Sequence, residues 1–376
     1  MPNRFLIAFL KGAFSLVLQF DGRSPSYKTE YIRNILFLNT TAMGDTLLST
    51  PAIRALREAF PEARITSLVS PIAKEILLNN PHIDRFIDYP GRVDLPFFLS
   101  LPRILRDLRK ERFDLSIVLD SNDPEAGPFS YISGAPVRVG WQESRLSFLF
   151  NIPVRKRMEG LHVVDIKLKA LEAIGIRSRG RKPEIFLTKE EELRADEILK
   201  NEGLLNGRIA GLHPFGAKRN RWWPEEYVIS LSNILFKKYG FRTILFGGKE
   251  ERPYAVRMAG GMKGRPFVIA GNTGIRESAA LIKRCSFFVS PDSGPMHLAQ
   301  AVGTPTIALF GPTDPTFTGP TGEKSIVIRK KMDCSPCKDY DCSHISCMKD
   351  ISVEDVLGAV EEMNRRGWAG RLAFSG

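Results

Sequence analysis

The stretch SFFVSPDSGPMHLAQAVGTPTIALFGPTDP, residues 286–315, decides the fold. Ser286 to Ser290 is a short apolar run of the kind that a parallel sheet buries. Pro291-Asp292-Ser293-Gly294 turns the chain into a helix over Gly294 to Val302, and Pro295 falls in its first turn, where a missing N–H costs little. A second buried strand, Thr306 to Phe310, follows, and Gly311-Pro312-Thr313-Asp314-Pro315 turns over its end. Strand, loop, helix and strand in this order make one unit of a parallel sheet.

The same rhythm extends outward in both directions. Upstream lie strand Arg208 to Leu212, helix Pro224 to Tyr239, strand Arg242 to Phe246, helix Glu250 to Ala259 and helix Arg276 to Arg284. Further upstream, strand Asn34 to Asn39 leads through a loop at Thr40 to Gly44 into a helix ending at Phe60-Pro61. Strands Arg64 to Val69, Arg85 to Tyr89 and Leu115 to Asp120 follow, with a short helix after Pro71 and another over Pro102 to Arg109. The alternation loosens between Pro153 and Lys182, around a helix at Val163 to Ile174, and resumes after a helix at Glu190 to Asn201. The reading is an α/β chain with two Rossmann-like halves, 31–185 and 186–350. An apolar segment, 1–30, precedes them, and a tail, 351–376, follows, whose helix Val353 to Arg365 is expected to pack back toward the first half. In such sheets ligands bind beyond the carboxyl ends of the strands, so the loops just after strands carry the function.

The 376 residues suit two domains of common size. Hydrophobic residues at 43% and charged residues at 26% are ordinary globular values that exclude wholesale disorder. A net charge of +12 calls for an acidic partner. The cations are spread along the chain without a compact basic helix or an aromatic RNA-binding motif, which leaves phosphorylated ligands and anionic membranes, not nucleic acid. Phe5 to Phe20 is apolar but broken by Lys11 and Gly12, and is too short to span a bilayer. No small-residue cleavage site follows it, so the chain is expected to stay in the cytoplasm. That segment reads either as an interfacial helix on a membrane, helped by Arg4 and Lys11, or as a helix packed on the protein body.

Four strand-end loops carry chemistry. In Asn39-Thr40-Thr41-Ala42-Met43-Gly44-Asp45, Gly44 permits close backbone approach. Asp45 starts the next helix, where it serves either as an N-cap or as a carboxylate facing a cleft, fit for a general base. In Asp292-Ser293-Gly294-Pro295-Met296-His297, free amides at a helix N-terminus form a phosphate site, although a well-capped helix would look the same. His213-Pro214-Phe215-Gly216-Ala217-Lys218-Arg219-Asn220-Arg221 sets three cations beside a Gly turn, suited to a diphosphate or merely to water. Glu251, after Gly247-Gly248-Lys249-Glu250, is able to accept from sugar hydroxyls, although helix starts favour Glu anyway. The whole reading requires the loop holding Asp45 and the pocket around Ser293 to confront each other over a gap one sugar wide.

Together these loops resemble glycosyltransferase family 9, the ADP-heptose:lipopolysaccharide heptosyltransferases, in particular the heptosyltransferase II type, over roughly residues 33–350. The pieces that carry the resemblance are Met43-Gly44-Asp45 with Thr50-Pro51-Ala52, and Pro291 to Pro315; Arg221-Trp222-Trp223-Pro224 is similar to the family's Lys-x-Trp-Pro segment. The resemblance implies a GT-B fold, two Rossmann-like domains with parallel sheets facing a central cleft, acceptor on the first domain and ADP-heptose on the second. It implies Asp45 as catalytic base, and Asp292, Ser293, Gly294, His297 and Glu251 as donor contacts, with Gly216, Ala217 and Thr273 less specific. Arg221 stands where the family has Lys, so the diphosphate falls to Arg221 or Lys218. No cofactor is implied beyond the donor substrate, since helix dipole and cations take the place of magnesium. The acceptor would be the lipopolysaccharide inner core, on the inner face of the inner membrane.

Cys334, Cys337, Cys342 and Cys347 have spacing close to a zinc knuckle, yet a cytosolic chain equally suits reduced thiols packing a loop. Cys285 reads as core. Two further readings are transfer of another nucleotide-linked sugar and a nucleotide-sugar-binding protein without activity. A nicotinamide-dependent dehydrogenase is disfavoured, because the first strand-to-helix loop lacks G-x-G-x-x-G.

Overall fold

The computed structural model describes residues 31–39, 42–91, 94–120, 126–144, 146–155, 160–178, 180–337, 339 and 341–368. The apolar segment expected over 1–30 lies outside them.

The first half runs β1 (Asn34–Asn39), α1 (Met43–Leu47), α2 (Thr50–Ala59), β2 (Arg64–Val69), α3 (Pro71–Leu77), β3 (Arg85–Asp88), α4 (Leu95–Lys110), β4 (Leu115–Val118), α5 (Ala126–Ile132), β5 (Val137–Trp141), β6 (Ile152–Val154) and α6 (Val163–Glu172). The second runs α7 (Lys189–Asn201), β7 (Ile209–Leu212), α8 (Glu225–Tyr239), β8 (Arg242–Leu245), α9 (Arg252–Gly260), β9 (Phe267–Val268), α10 (Ile275–Arg284), β10 (Phe287–Pro291), α11 (Gly294–Val302), β11 (Thr306–Phe310), α12 (Pro315–Thr318), β12 (Ser325–Arg329), α13 (Ser346–Lys349) and α14 (Val353–Arg365). Each half holds a six-stranded sheet, ordered β3-β2-β1-β4-β5-β6 and β12-β11-β10-β7-β8-β9. Every strand pairing is parallel. Read from its own first strand, the second sheet repeats the order of the first.

Local chemistry explains where the elements differ from the sequence reading. The single helix expected up to Ala59 is two, because Pro51 has no N–H to continue the first. The helix expected from Pro102 begins at Leu95, where Asp94 accepts from the Phe97 amide and caps it, with Pro102 inside the helix. Strands β5, β6, β9 and β12 are two to five residues long and have too little periodicity to read. Helix α14 does not return to the first half. Its apolar face (Val353, Val356, Ala359, Val360, Met363) completes the second half's core, against α8, β11 and β12. The Trp223 indole donates to the Ile351 carbonyl at 2.9 Å and fixes the approach to that helix.

The halves are bound together by more than the connecting chain. Arg276 on α10 is buried and donates to the Glu75 and Leu78 carbonyls at the end of α3, to the Phe186 carbonyl, and to both oxygens of Glu191. No helix among the described residues is long and apolar enough to cross a membrane.

Candidate active site

In each sheet the strand order reverses at one crevice, between β1 and β4 and between β7 and β10, which is where doubly wound sheets bind ligands. Three of the four loops picked out above follow β1, β7 and β10, so they rise from these crevices. The fourth, with Glu251, follows β8 next door.

The two crevices meet. A β-carbon at Gly44 would lie 3.3 Å from His297 Cδ2, and one at Gly294 would lie 2.7 Å from Met43 Sδ. Glycine at both positions lets the start of α1 touch the start of α11. The two loops therefore confront each other, and they touch at two points, Gly44 against His297 and Met43 against Gly294. Asp45, the next residue after Gly44, is half-buried in the first turn of α1.

On the second half, α11 presents its N-terminal amides beyond β10, with Ser293 in extended backbone at the cap. Among the described residues no side chain caps this helix, an arrangement that suits its first amides to an anion. Arg221 reaches this point. Its Nη1 lies 3.2 Å from Asp292 Oδ2, and its Nε is buried without a partner among the described residues. Burial raises the Asp292 pKa, with Arg221 pulling the other way. Lys218 and Ala217 are exposed, whereas Gly216 is buried under Arg221. Of the two cations weighed for the diphosphate, Arg221 is the one joined to the α11 loop.

His297 is buried and its Nδ1 has no partner among the described residues. Burial, with His162 nearby, pushes its pKa down to about 3, so the ring is neutral at physiological pH. His162 caps α6 by accepting from the Val164 amide at Nδ1, so Nε2 carries the proton and donates to the Gly319 carbonyl at 2.9 Å. That bond crosses from the first half to the loop after α12.

The sequence reading did not single out His162, and it named His213 only as the first residue of its loop, without a role. His213 is buried, with Nδ1 3.3 Å from Ser290 Oγ and 3.5 Å from Ser293 Oγ, and Nε2 3.9 Å from Glu251 Oε2. It thus lies between Ser293 and Glu251, and burial pushes its pKa down to about 3. The only signal in the sequence was its place directly after a strand. Glu251 accepts from the Gly248 amide at 2.6 Å, and burial raises its pKa. Thr273 lies beyond β9, its hydroxyl 2.8 Å from that of Ser278.

The cysteines lie apart from these groups. Cys334, Cys337, Cys342 and Cys347 are free thiols, and Cys347 packs buried under Gly311. Burial first, then the neighbouring thiols, push the Cys347 pKa up. Among the described residues no group of three or more His, Cys, Asp or Glu side chains is placed to hold a metal. Cys285 is buried core, and burial pushes its thiol up.

The profile of glycosyltransferase family 9 (heptosyltransferase) matches residues 101–347. Lipooligosaccharide heptosyltransferase 2 of Haemophilus influenzae is 31% identical over 314 residues, which cover 79% of this chain and 88% of that protein. A glycosyl transferase family 9 structure from Veillonella parvula superposes with a TM-score of 0.77 at 24% identity, over 92% of this chain and 99% of that one. The E. coli ADP-heptose lipopolysaccharide heptosyltransferase II structure superposes with a TM-score of 0.73 at 21% identity, over 89% and 99%. These superpositions establish the fold as GT-B.

Proposed function

This chain belongs to glycosyltransferase family 9, and from that premise we propose that it transfers heptose from ADP-heptose to the lipopolysaccharide inner core with inversion. The observation that carries this reading is the Gly44–His297 seam, which brings the carboxylate loop of one half against the amide-lined helix start of the other.

In this reading Asp45 takes the proton of an acceptor hydroxyl as its oxygen attacks the anomeric carbon. The carbon–oxygen bond to the diphosphate breaks on the opposite face, and ADP leaves with the electron pair. A free hydroxyl is a poor acid, so the proton moves late. Charge building on the leaving phosphate falls to the α11 amides and to Arg221, which Asp292 holds at the helix start. A buried polar atom is nearly always paired, so the orphan Nδ1 of His297 is assigned to a donor oxygen. Glu251, with an oxygen beside His213, is assigned to donor hydroxyls; Ser293, Gly294, Gly216, Ala217, Lys218 and Thr273 complete the donor side. The first half takes the acceptor, and the net charge of +12 favours an anionic, membrane-anchored one met at the cytoplasmic face.

The test is a titration of the purified chain with ADP-heptose, ADP-glucose, UDP-sugars and NAD, followed by turnover on inner-core acceptor. Preference for ADP-heptose with transfer supports the reading. Tight binding of NAD alone overturns it.

A further inference from the structure

Helix α4 has one face in the core and one that no other described residue covers. Phe97, Leu101, Ile104 and Leu108 face inward. The opposite stripe begins with Leu95, Phe98 and Leu99, which are 70%, 59% and 73% exposed, among the most exposed large apolar side chains described. One turn further on the same stripe become Arg103, Arg106, Arg109 and Lys110, all exposed. The segment's acids are engaged: Asp94 caps the helix and Asp107 sits 3.5 Å from Arg106. An apolar tip continued by an excess of exposed cations, with one acid, Asp107, beside Arg106, is the pattern of a helix lying on anionic lipid, with apolar groups below the headgroups and cations among the phosphates.

The topology orients this tip. Because α4 follows β3, its first turn stands at the carboxyl end of the first sheet, the same end that carries Asp45. An exposed apolar cluster there borders the route of a lipid-anchored acceptor into the cleft. A second copy of this chain is a poor occupant, since a self-complementary contact would oppose four cations to four cations.

We propose that the exposed face of α4, from Leu95 to Lys110, docks the protein on an anionic phospholipid bilayer with the mouth of its acceptor crevice toward the lipid. The inference rests on the membrane-side acceptor reading above, and its test separates the two. The full chain is sedimented with phosphatidylcholine vesicles, with and without phosphatidylglycerol. It is expected to follow only the anionic ones, and failure to do so overturns both readings. Removing cations with Arg103→Gln, Arg106→Gln and Arg109→Gln is expected to weaken partition by about fivefold per residue. Leu95→Ser, Phe98→Ser and Leu99→Ser together are expected to weaken it by roughly tenfold or more. Transfer to a soluble, lipid-free acceptor should be unchanged in both variants. If both sediment like the parent, α4 is not the contact, although the membrane reading stands. If the apolar variant instead turns a lipid-free oligomer into a monomer, another copy covers this face and the lipid assignment fails.

Discussion

Gly216 packs so tightly beneath Arg221 that a β-carbon on it would lie 2.5 Å from the β-carbon of Arg221. The obstructing atom is close to the backbone, so it cannot swing aside as the end of a long side chain would. Gly216→Ala must therefore displace the turn that presents Arg221 to Asp292, at an overpacking cost of about 1–3 kcal/mol. ADP affinity measured by calorimetry is expected to fall by roughly tenfold or more. Affinity equal to the parent's would detach Arg221 from the diphosphate.

Asp45→Asn keeps the size of the side chain and removes its basicity. Turnover is expected to fall by about a hundredfold to ten-thousandfold, while ADP binding, which lies across the seam, holds. Full turnover would strip Asp45 of its role as base.

His213 and His297 stay neutral down to about pH 3 in the folded chain. In the unfolded chain each takes up a proton near pH 6.5. Below that pH the unfolded state binds more protons, so stability is full above pH 6.5 and declines as the pH falls toward 3. The decline is on the order of 1 kcal/mol per pH unit for each ring. Urea midpoints measured from about pH 7 to about pH 5 should drop steeply, and His213→Gln should make the slope shallower. Identical slopes would mean that His213 is not held neutral.

Arg276 is a buried cation with one carboxylate and three carbonyls around it, and its hydrogen bonds hold the Glu191 pKa down. Arg276→Met leaves Glu191 without its counter-ion and three carbonyls without a donor. The expected loss is about 2–4 kcal/mol, read from chemical denaturation. A loss below about 1 kcal/mol would show that water replaces the guanidinium without cost.

Much of this architecture was legible because the central strands are continuous apolar runs. NILFLN and SFFVS are buried on both faces, and such runs stand out without any alternation. The edge strand Ser325–Arg329 and the two-residue strand Phe267–Val268 are only half-buried, so no apolar run marked them. At the site, glycines and capping residues advertised the loops. The partners of His162 and His213 did not advertise themselves, since Gly319 lies 157 residues from the one and Ser290 77 residues from the other. Long-range pairing of a neutral imidazole leaves no local trace. The return of the last helix was misjudged because an amphipathic face declares that it will be covered, not by which half.

The repeated strand order has an evolutionary corollary. Two bodies of one design stand mouth to mouth, and each is wound around its own crevice, so selection can rework either wall with little disturbance to the other. What cannot drift is the narrow strip where they join. Met43, Gly44, Gly294 and His297 must change together or not at all, and swapping halves between relatives should succeed only where these four are kept.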